Sequence, residues 1–208
     1  MRIITTLTAL GLLTGCPGPT SDDTAGELPS TEADKDLEEF FSLARIHVLD
    51  IQLADDAIED LLDEPNDYVH GDITIDGIAY DDVAVRLKGG AGSFVGLDED
   101  YPEISGDGNG NPGKSAFILN LDKYVDDQAH LGLEKLTVNN LVQDDSCIHE
   151  TAGYALFREG GVPAPRTAYA SLSLNGESKG LYLLVESQDN SEFLDDWYDT
   201  DEDRKSVV

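Results

Sequence analysis

Two cations and a run of glycines mark the stretch of this sequence best suited to chemistry. Arg86 and Lys88 alternate along a strand-like segment that opens directly onto Gly89-Gly90-Ala91-Gly92-Ser93. Glycines after a strand let backbone N–H groups approach an anion closely, and the two cations at the entrance suit the same ligand. A third cation, Lys114, opens a later alternating stretch. Glu150 lies on the edge of a helical segment that should face a sheet. Two motif matches fail on context. Gly108 to Ser115 fits G-x-x-x-x-G-K-[ST], which needs a strand before it and a helix after it, whereas polar residues precede it and an alternating run follows. Asp107-Gly108-Asn109-Gly110-Asn111 begins like a calcium loop but lacks the glycine and glutamate that such a loop needs later. Cys147 and His149 are too few for a metal site. No catalytic residue and no metal ligand is assigned.

The elements that must position these residues follow from pattern and punctuation. The segment Asp144 to Arg166 reads as one helix: Asp145 or Ser146 caps it, and Ile148, Ala152, Ala155 and Leu156 recur at helical spacing. Gly160 or Gly161 supplies the left-handed stop, and Pro163 forbids continuation. Strand-like runs on either side predict that this helix packs across a sheet. Ala44 to Leu53 reads as a strand, and Asp55 to Asp63 as a short helix stopped by Pro65. Tyr68 to Ile75 and Ile78 to Leu87 flank Asp76-Gly77, while Thr167 to Leu174 and Lys179 to Glu186 flank Asn175-Gly176. Both pairs are hairpin signatures. Ala116 to Leu121 and Leu133 to Asn139 are further strands, and Ser191 to Trp197 is a helical turn. Val83, Val85 and Leu87 share one strand face, which leaves Arg86 and Lys88 together on the other.

With 208 residues the chain can fold one core plus extensions. Its 43 acidic and 13 basic residues give a formal charge of −30, which repels phosphate backbones and excludes nucleic acid as a partner. Arg2, the apolar run Ile3 to Leu13 and the ending Leu13-Thr14-Gly15-Cys16 resemble a bacterial lipoprotein signal. The resemblance implies cleavage before Cys16, lipidation there, and a bacterial cell-envelope protein anchored to the membrane and facing the periplasm or exterior. Cys147 is then the remaining thiol, so no internal disulfide can form.

Several pieces in a fixed order carry a further resemblance. These are Arg86-Leu87-Lys88-Gly89, then Lys114-Ser115-x-Phe117, then Asp144-x-Ser146-x-x-x-Glu150. After them come Gly161-Val162-Pro163-Ala164-Pro165-Arg166 and Asn175-Gly176-x-x-x-Gly180-Leu181-Tyr182-x-Leu184-x-Glu186. Over Arg45 to Phe193 the sequence resembles the spore-coat CotH kinase-like family of atypical protein kinases. That resemblance implies a kinase-like fold binding ATP with a divalent cation, and a kinase of secreted or surface proteins. It implies cofactor contacts from Arg86, Lys88, Gly89, Gly90, Gly92, Ser93, Lys114, Glu150 and Glu186. Kinases place a glycine loop over the phosphates, a strand lysine on them, and a helix glutamate that orients the lysine. Lys114 is the first choice for that lysine, with Lys88 as the alternative. The family's catalytic carboxylates lie in a downstream lobe. Asp195, Asp196, Asp199, Asp201 and Asp203 sit in a polar tail without apolar support and are not assigned catalysis.

The expected fold is α+β: an antiparallel sheet with a packed helix, resembling the N-terminal lobe of a kinase-like fold with the C-terminal lobe missing. The expected organisation is a lipoprotein signal peptide at 1–15, an acidic disordered tether at 16–43, the nucleotide-lobe domain at 44–194 and an acidic tail at 195–208. Within the tail, 203–208 matches the translation of a common sequencing adaptor and is expected to be non-native. On this reading the chain is an inactive fragment of an exported kinase. A non-catalytic surface-binding or structural lipoprotein is the alternative. Replacing Cys16 with Ser is expected to release the protein from the membrane fraction in cell fractionation, and a variant that stays with membranes through a high-salt wash contradicts the anchor.

Overall fold

A computed structural model describes residues 32–89, 94–97 and 114–198. Cys16 with the leader, tether residues 16–31, Gly90, Gly92, Ser93, Asp199, Asp201, Asp203 and the remaining tail lie outside the described residues.

Strand β1 (Ile46–Leu53) is bonded on both sides, antiparallel to β2 (Val69–Ile75) and parallel to β6 (Thr167–Leu174). The remaining strands are β3 (Ile78–Lys88), β4 (Ala116–Asn120), β5 (Lys135–Asn139) and β7 (Glu177–Glu186), all antiparallel to their neighbours. The order β1-β2-β3-β4-β5-β7-β6 closes on itself as a seven-stranded barrel. The expected α+β fold, an antiparallel sheet with a packed helix resembling the N-terminal lobe of a kinase-like fold, is therefore not what forms. The physical reason is the β1–β6 seam, a parallel pairing between segments more than a hundred residues apart, which removes both sheet edges.

The lumen is filled by inward residues of alternating strand positions. Leu49, Ile51, Ile73, Ile75, Val83, Val85, Leu87, Phe117, Leu119, Val138, Leu172, Tyr182 and Leu184 are buried, with small Ala168 beside Leu184 and small Ala170 beside the large Tyr182. Burying aliphatic and aromatic side chains at about 1.5–3 kcal/mol each supplies the main stabilising term. Both hairpins form where the sequence places them. Asp76 and Asn175 take positive φ values of 50°, and Gly77 and Gly176 take 86° and 80°. Each turn also grips β1. Asp76 accepts from the Val48 N–H at 2.9 Å, and the Asn175 amide both accepts from the Leu53 N–H at 2.7 Å and donates to the Leu53 carbonyl at 2.9 Å.

Among the described residues four helices lie outside the lumen: α1 (Glu32–Phe40), α2 (Asp55–Asp63), α3 (His149–Glu159) and α4 (Ser191–Tyr198). Helix α2 has the bounds expected of it. Helix α1 falls inside 16–43, the stretch read as tether, because Leu37, Phe40 and Phe41 give it an apolar face that joins the core. The buried His47 donates from Nε2 to the Phe40 carbonyl at 2.7 Å, which ties the end of α1 to β1.

Helix α3 is rotated from the expected orientation. Ile148, Ala152, Ala155 and Leu156 are exposed, Leu156 at 74%, whereas Thr151 is buried and Tyr154 packs on Leu141, Leu183 and Val185. The helix covers a small patch on the barrel exterior, since the closed barrel already satisfies its own core. Its start is set by Asp144 rather than Asp145 or Ser146, with Asp144 Oδ2 accepting from the His149 N–H at 2.7 Å. Gly161, at φ 69°, ends it, and the Val162 N–H donates to the Phe157 carbonyl at 2.9 Å.

His130 is buried against Phe40 and the Tyr80 hydroxyl, 2.7 Å from Nδ1. Burial first, with His47 and Arg45 adding and Asp76 opposing, lowers its pKa from 6.5 to about 4. The folded state therefore holds a neutral ring that the unfolded chain protonates near pH 6.5. The corresponding stability is complete above that pH and lost as pH falls towards 4, up to about 3 kcal/mol. Urea unfolding across this window is expected to show a smaller pH dependence in His130→Asn than in the parent.

Candidate functional site

The open end of β3 and β5, together with the first turn of α3, builds the site. Lys88 is the last residue of β3 and projects outward because Leu87 turns into the lumen. Gly89 follows at the point where Phe94 returns, and a Cβ there would stand 2.6 Å from the Phe94 Cα. Asn139 is the last residue of β5, on the strand face of Thr137 and opposite to that of Leu136 and Val138. Glu150 sits in the first turn of α3.

These three side chains meet. The Lys88 ammonium donates to the Asn139 Oδ1. The Asn139 Nδ2 donates to both carboxylate oxygens of Glu150, at 2.8 Å each. Burial lowers the pKa of Lys88, and the Glu150 carboxylate works against that shift. Tyr154, one turn further along the helix, has its phenol pushed up by burial and by Glu150.

Two cavities of about 320 and 400 Å³ share Lys88, Asn139 and Glu150 as a common wall. The first continues over Gly89, Ala116, Leu141, Asp144 and His149, the second over Thr137, Tyr154, Val185, Ser187 and Asp189. Asp144 at the rim is held well below the usual carboxylate range by hydrogen bonds from the Ser146 hydroxyl and the His149 N–H. The loop between β5 and α3 is fixed by the buried Asn140, whose Nδ2 donates to the Lys114 carbonyl at 2.9 Å. An ammonium with donors to spare, held in a cleft next to backbone, can bind an anion. Among the described residues no group of three or more His, Cys, Asp or Glu is arranged to hold a metal.

The residues singled out in the sequence separate into groups. Lys88, Gly89 and Glu150 come together. Lys114 lines neither cavity, and its Nζ lies 5.4 Å from the Tyr182 ring centroid. Arg86 lies over the Tyr68 ring at 5.3 Å. Glu186 borders the second cavity, but its buried carboxylate is engaged by Arg166, from both Nε and the backbone N–H. Arg166 also reaches Glu38 of α1 at 3.0 Å and Asp196 of α4 at 3.5 Å, so this ion pair joins three elements. Asn139 was missed by sequence reasoning. Its signal was an amide at a strand end, on the outward face of an alternating run, in the last strand before the helix that carries Glu150.

A family model described as CotH kinase protein matches residues 103–206, half of the chain, a span that holds β4 to α4 with Asn139 and Glu150. The chain belongs to the CotH kinase protein family. It is also similar to the inner spore coat protein H-like protein of Bacillus subtilis (strain 168), with 33% identity over 74 residues. That match covers 36% of this chain and 22% of the relative, so the chain spans about a fifth of the relative's length. Lys88 and β1 to β3 precede the family match. Among the described residues no helix is long and apolar enough to cross a membrane.

The buried Arg166–Glu186 pair makes a test of the site's frame. Removing the buried partner leaves the buried Arg166 with only the more exposed Glu38 and Asp196, so Glu186→Gln is expected to cost about 3 kcal/mol in guanidinium unfolding.

Proposed function

We propose that this chain supplies the nucleotide-binding part of a CotH-type kinase, binding ATP with a divalent cation, and that the whole protein phosphorylates secreted or surface proteins. The observation that carries the reading is the Lys88–Asn139–Glu150 arrangement on the wall shared by the two cavities. Lys88 offers a partly desolvated ammonium to phosphate oxygens, and Glu150 acts through Asn139 to hold that ammonium in place. Gly89 lets the Phe94 backbone pack closely beside the lysine, where a Cβ would collide with it. Bound ATP would supply the transferable phosphoryl group, and its cation would offset the phosphate charge. The residues described here bind and orient. The carboxylates that activate an acceptor hydroxyl and hold the cation belong, on this reading, to further sequence of the whole protein.

Location at the cell envelope through lipidated Cys16 belongs to the same proposal. It draws support from the leader pattern and from a relative named for the spore coat. A non-catalytic surface role is the reading left standing if nucleotide binding is absent.

The test is calorimetric titration of the 208-residue chain with ATP and magnesium. Lys88→Met and Glu150→Gln each remove a charge-assisted contact worth about 1.5–3 kcal/mol, so affinity is expected to fall roughly ten- to hundred-fold. Lys114→Met is expected to have the smaller effect. No heat of binding at millimolar ATP, or an unchanged affinity in Lys88→Met, would sink the reading.

A further inference from the structure

We propose that Asn139 is a positioning residue: its side-chain amide is a neutral relay that holds the Lys88 ammonium apart from the Glu150 carboxylate while fixing both. The relay itself rests on geometry alone. Only its consequence for nucleotide affinity rests on the function proposed above.

The hydrogen-bond inventory of the three groups leaves a single arrangement. An ammonium only donates and an ionised carboxylate only accepts. A side chain touching both must present an acceptor on one side and donors on the other, which an amide does. Oδ1 accepts from Lys88, and Nδ2 donates to Oε1 and Oε2 of Glu150. The reversed amide would set N–H against ammonium and oxygen against carboxylate, so the flanking charges also fix which way the amide faces. Each end of the relay is charge-assisted.

The barrel register explains how the lysine reaches it. Lys88 pairs with Ala116 on β4, and β5 pairs with β4 on its far side, so Lys88 and Asn139 stand on strands separated by one. Two strand spacings are about 9 to 10 Å, a span that an extended lysine and an asparagine cover between them. Ala116 is the small residue at that level of β4, and it lines the cavity beneath the lysine. A longer side chain there would stand in the path.

The relay has a consequence that a direct ion pair lacks. Among the described residues Lys88 gives one N–H, to Asn139, which leaves two donors for the cavity. Glu150 has both oxygens turned to the amide, so its charge supports the ammonium from behind the spacer. The lysine is oriented without being neutralised in contact, and an anion entering either cavity meets an exposed donor rather than a closed pair.

The experiment follows Lys88 and ATP in parallel on the 208-residue chain, with side-chain labelled lysine read by NMR titration and ATP–magnesium affinity read by calorimetry. Asn139→Leu removes both ends of the relay. Its expected result is a downward shift of the Lys88 titration, since the carboxylate no longer steadies the ammonium, and an affinity loss of about ten-fold or more. Asn139→Asp keeps the shape but replaces donors with negative charge. It is expected to move the Lys88 titration upward while affinity still falls. Opposite movement of the Lys88 titration in the two variants is the signature of positioning, because general loosening of the fold would move the titration towards that of an exposed lysine in both. Asn139→Gln, which keeps the amide, is expected to retain more affinity than either. A Lys88 titration unmoved in both Asn139→Leu and Asn139→Asp overturns the relay. If the titration responds as stated but the parent binds no ATP, the relay stands and the nucleotide reading fails.

Discussion

The pairing of β1 with β6 decides the shape of this molecule. Every other strand contact is antiparallel and, apart from β5 with β7, joins strands that are consecutive in the chain, but this one joins the first strand to the sixth in parallel. Without it the chain would be a sheet with two open edges and a face in need of a cover. With it, the inner faces of all seven strands bury one another, and Tyr182 stands beside the small Ala170 across the β6–β7 pairing. The two turn residues that grip β1, Asp76 and Asn175, reinforce the same seam from either side.

Closure changes what the helices do. Helix α3 is not needed to roof a core, so its contact is limited to a patch of Leu141, Leu183, Val185 and neighbouring aromatic residues, while Ile148 and Phe157 stay more than half exposed. What fixes the helix is polar and local: Asp144 at its start, the Tyr169 hydroxyl on the Cys147 carbonyl, and Glu150 on Asn139. Arg158 holds the other end, on the Ala164 carbonyl at 3.1 Å and over the Trp197 ring, while the first-turn bonds place Glu150. On the adjoining side, the buried Arg166–Glu186 pair gathers α1 and α4 against the strand ends. Those strand ends carry Val185 and Glu186 into the second cavity.

Much of the local structure was legible because its causes are local. Asp76-Gly77 and Asn175-Gly176 encode turns through backbone preference, and α2 between Ala54 and Pro65 encodes its own ends. The closure was not legible, because the residues of β1 and β6 differ little from those of any half-buried strand and carry no mark of their partner. Nor does composition show which face of β1 is buried: the apolar Ile46 and Val48 are exposed while His47 is buried, where it bonds the Phe40 carbonyl and the exposed Asp76. Helix α1 was hidden by its acidic composition, although Leu37, Phe40 and Phe41 already had helical spacing. At the site, the residue types pointed to a lysine and a glutamate, but the choice between Lys88 and Lys114 depended on strand order. Only the register that puts β4 between β3 and β5 shows which ammonium can reach Asn139.

The composition makes that reach more consequential. A chain with 43 acidic residues surrounds any anion with repulsion at long range, so binding must come from a cation placed where solvent and salt screen it least. An exposed lysine would not suffice, and a buried lysine in direct contact with a carboxylate would have spent its charge on that partner. Lys88 is half-buried, its pKa pulled down by burial and pulled back by Glu150. The amide of Asn139 lets those two tendencies coexist, since it carries the carboxylate's influence to the ammonium without occupying more than one of its protons. The same spacer explains why Glu150 belongs on a helix outside the barrel. From there it can approach the mouth of β3 and β5 at the distance of an intervening side chain, which a carboxylate on a neighbouring strand could not do without touching the lysine itself.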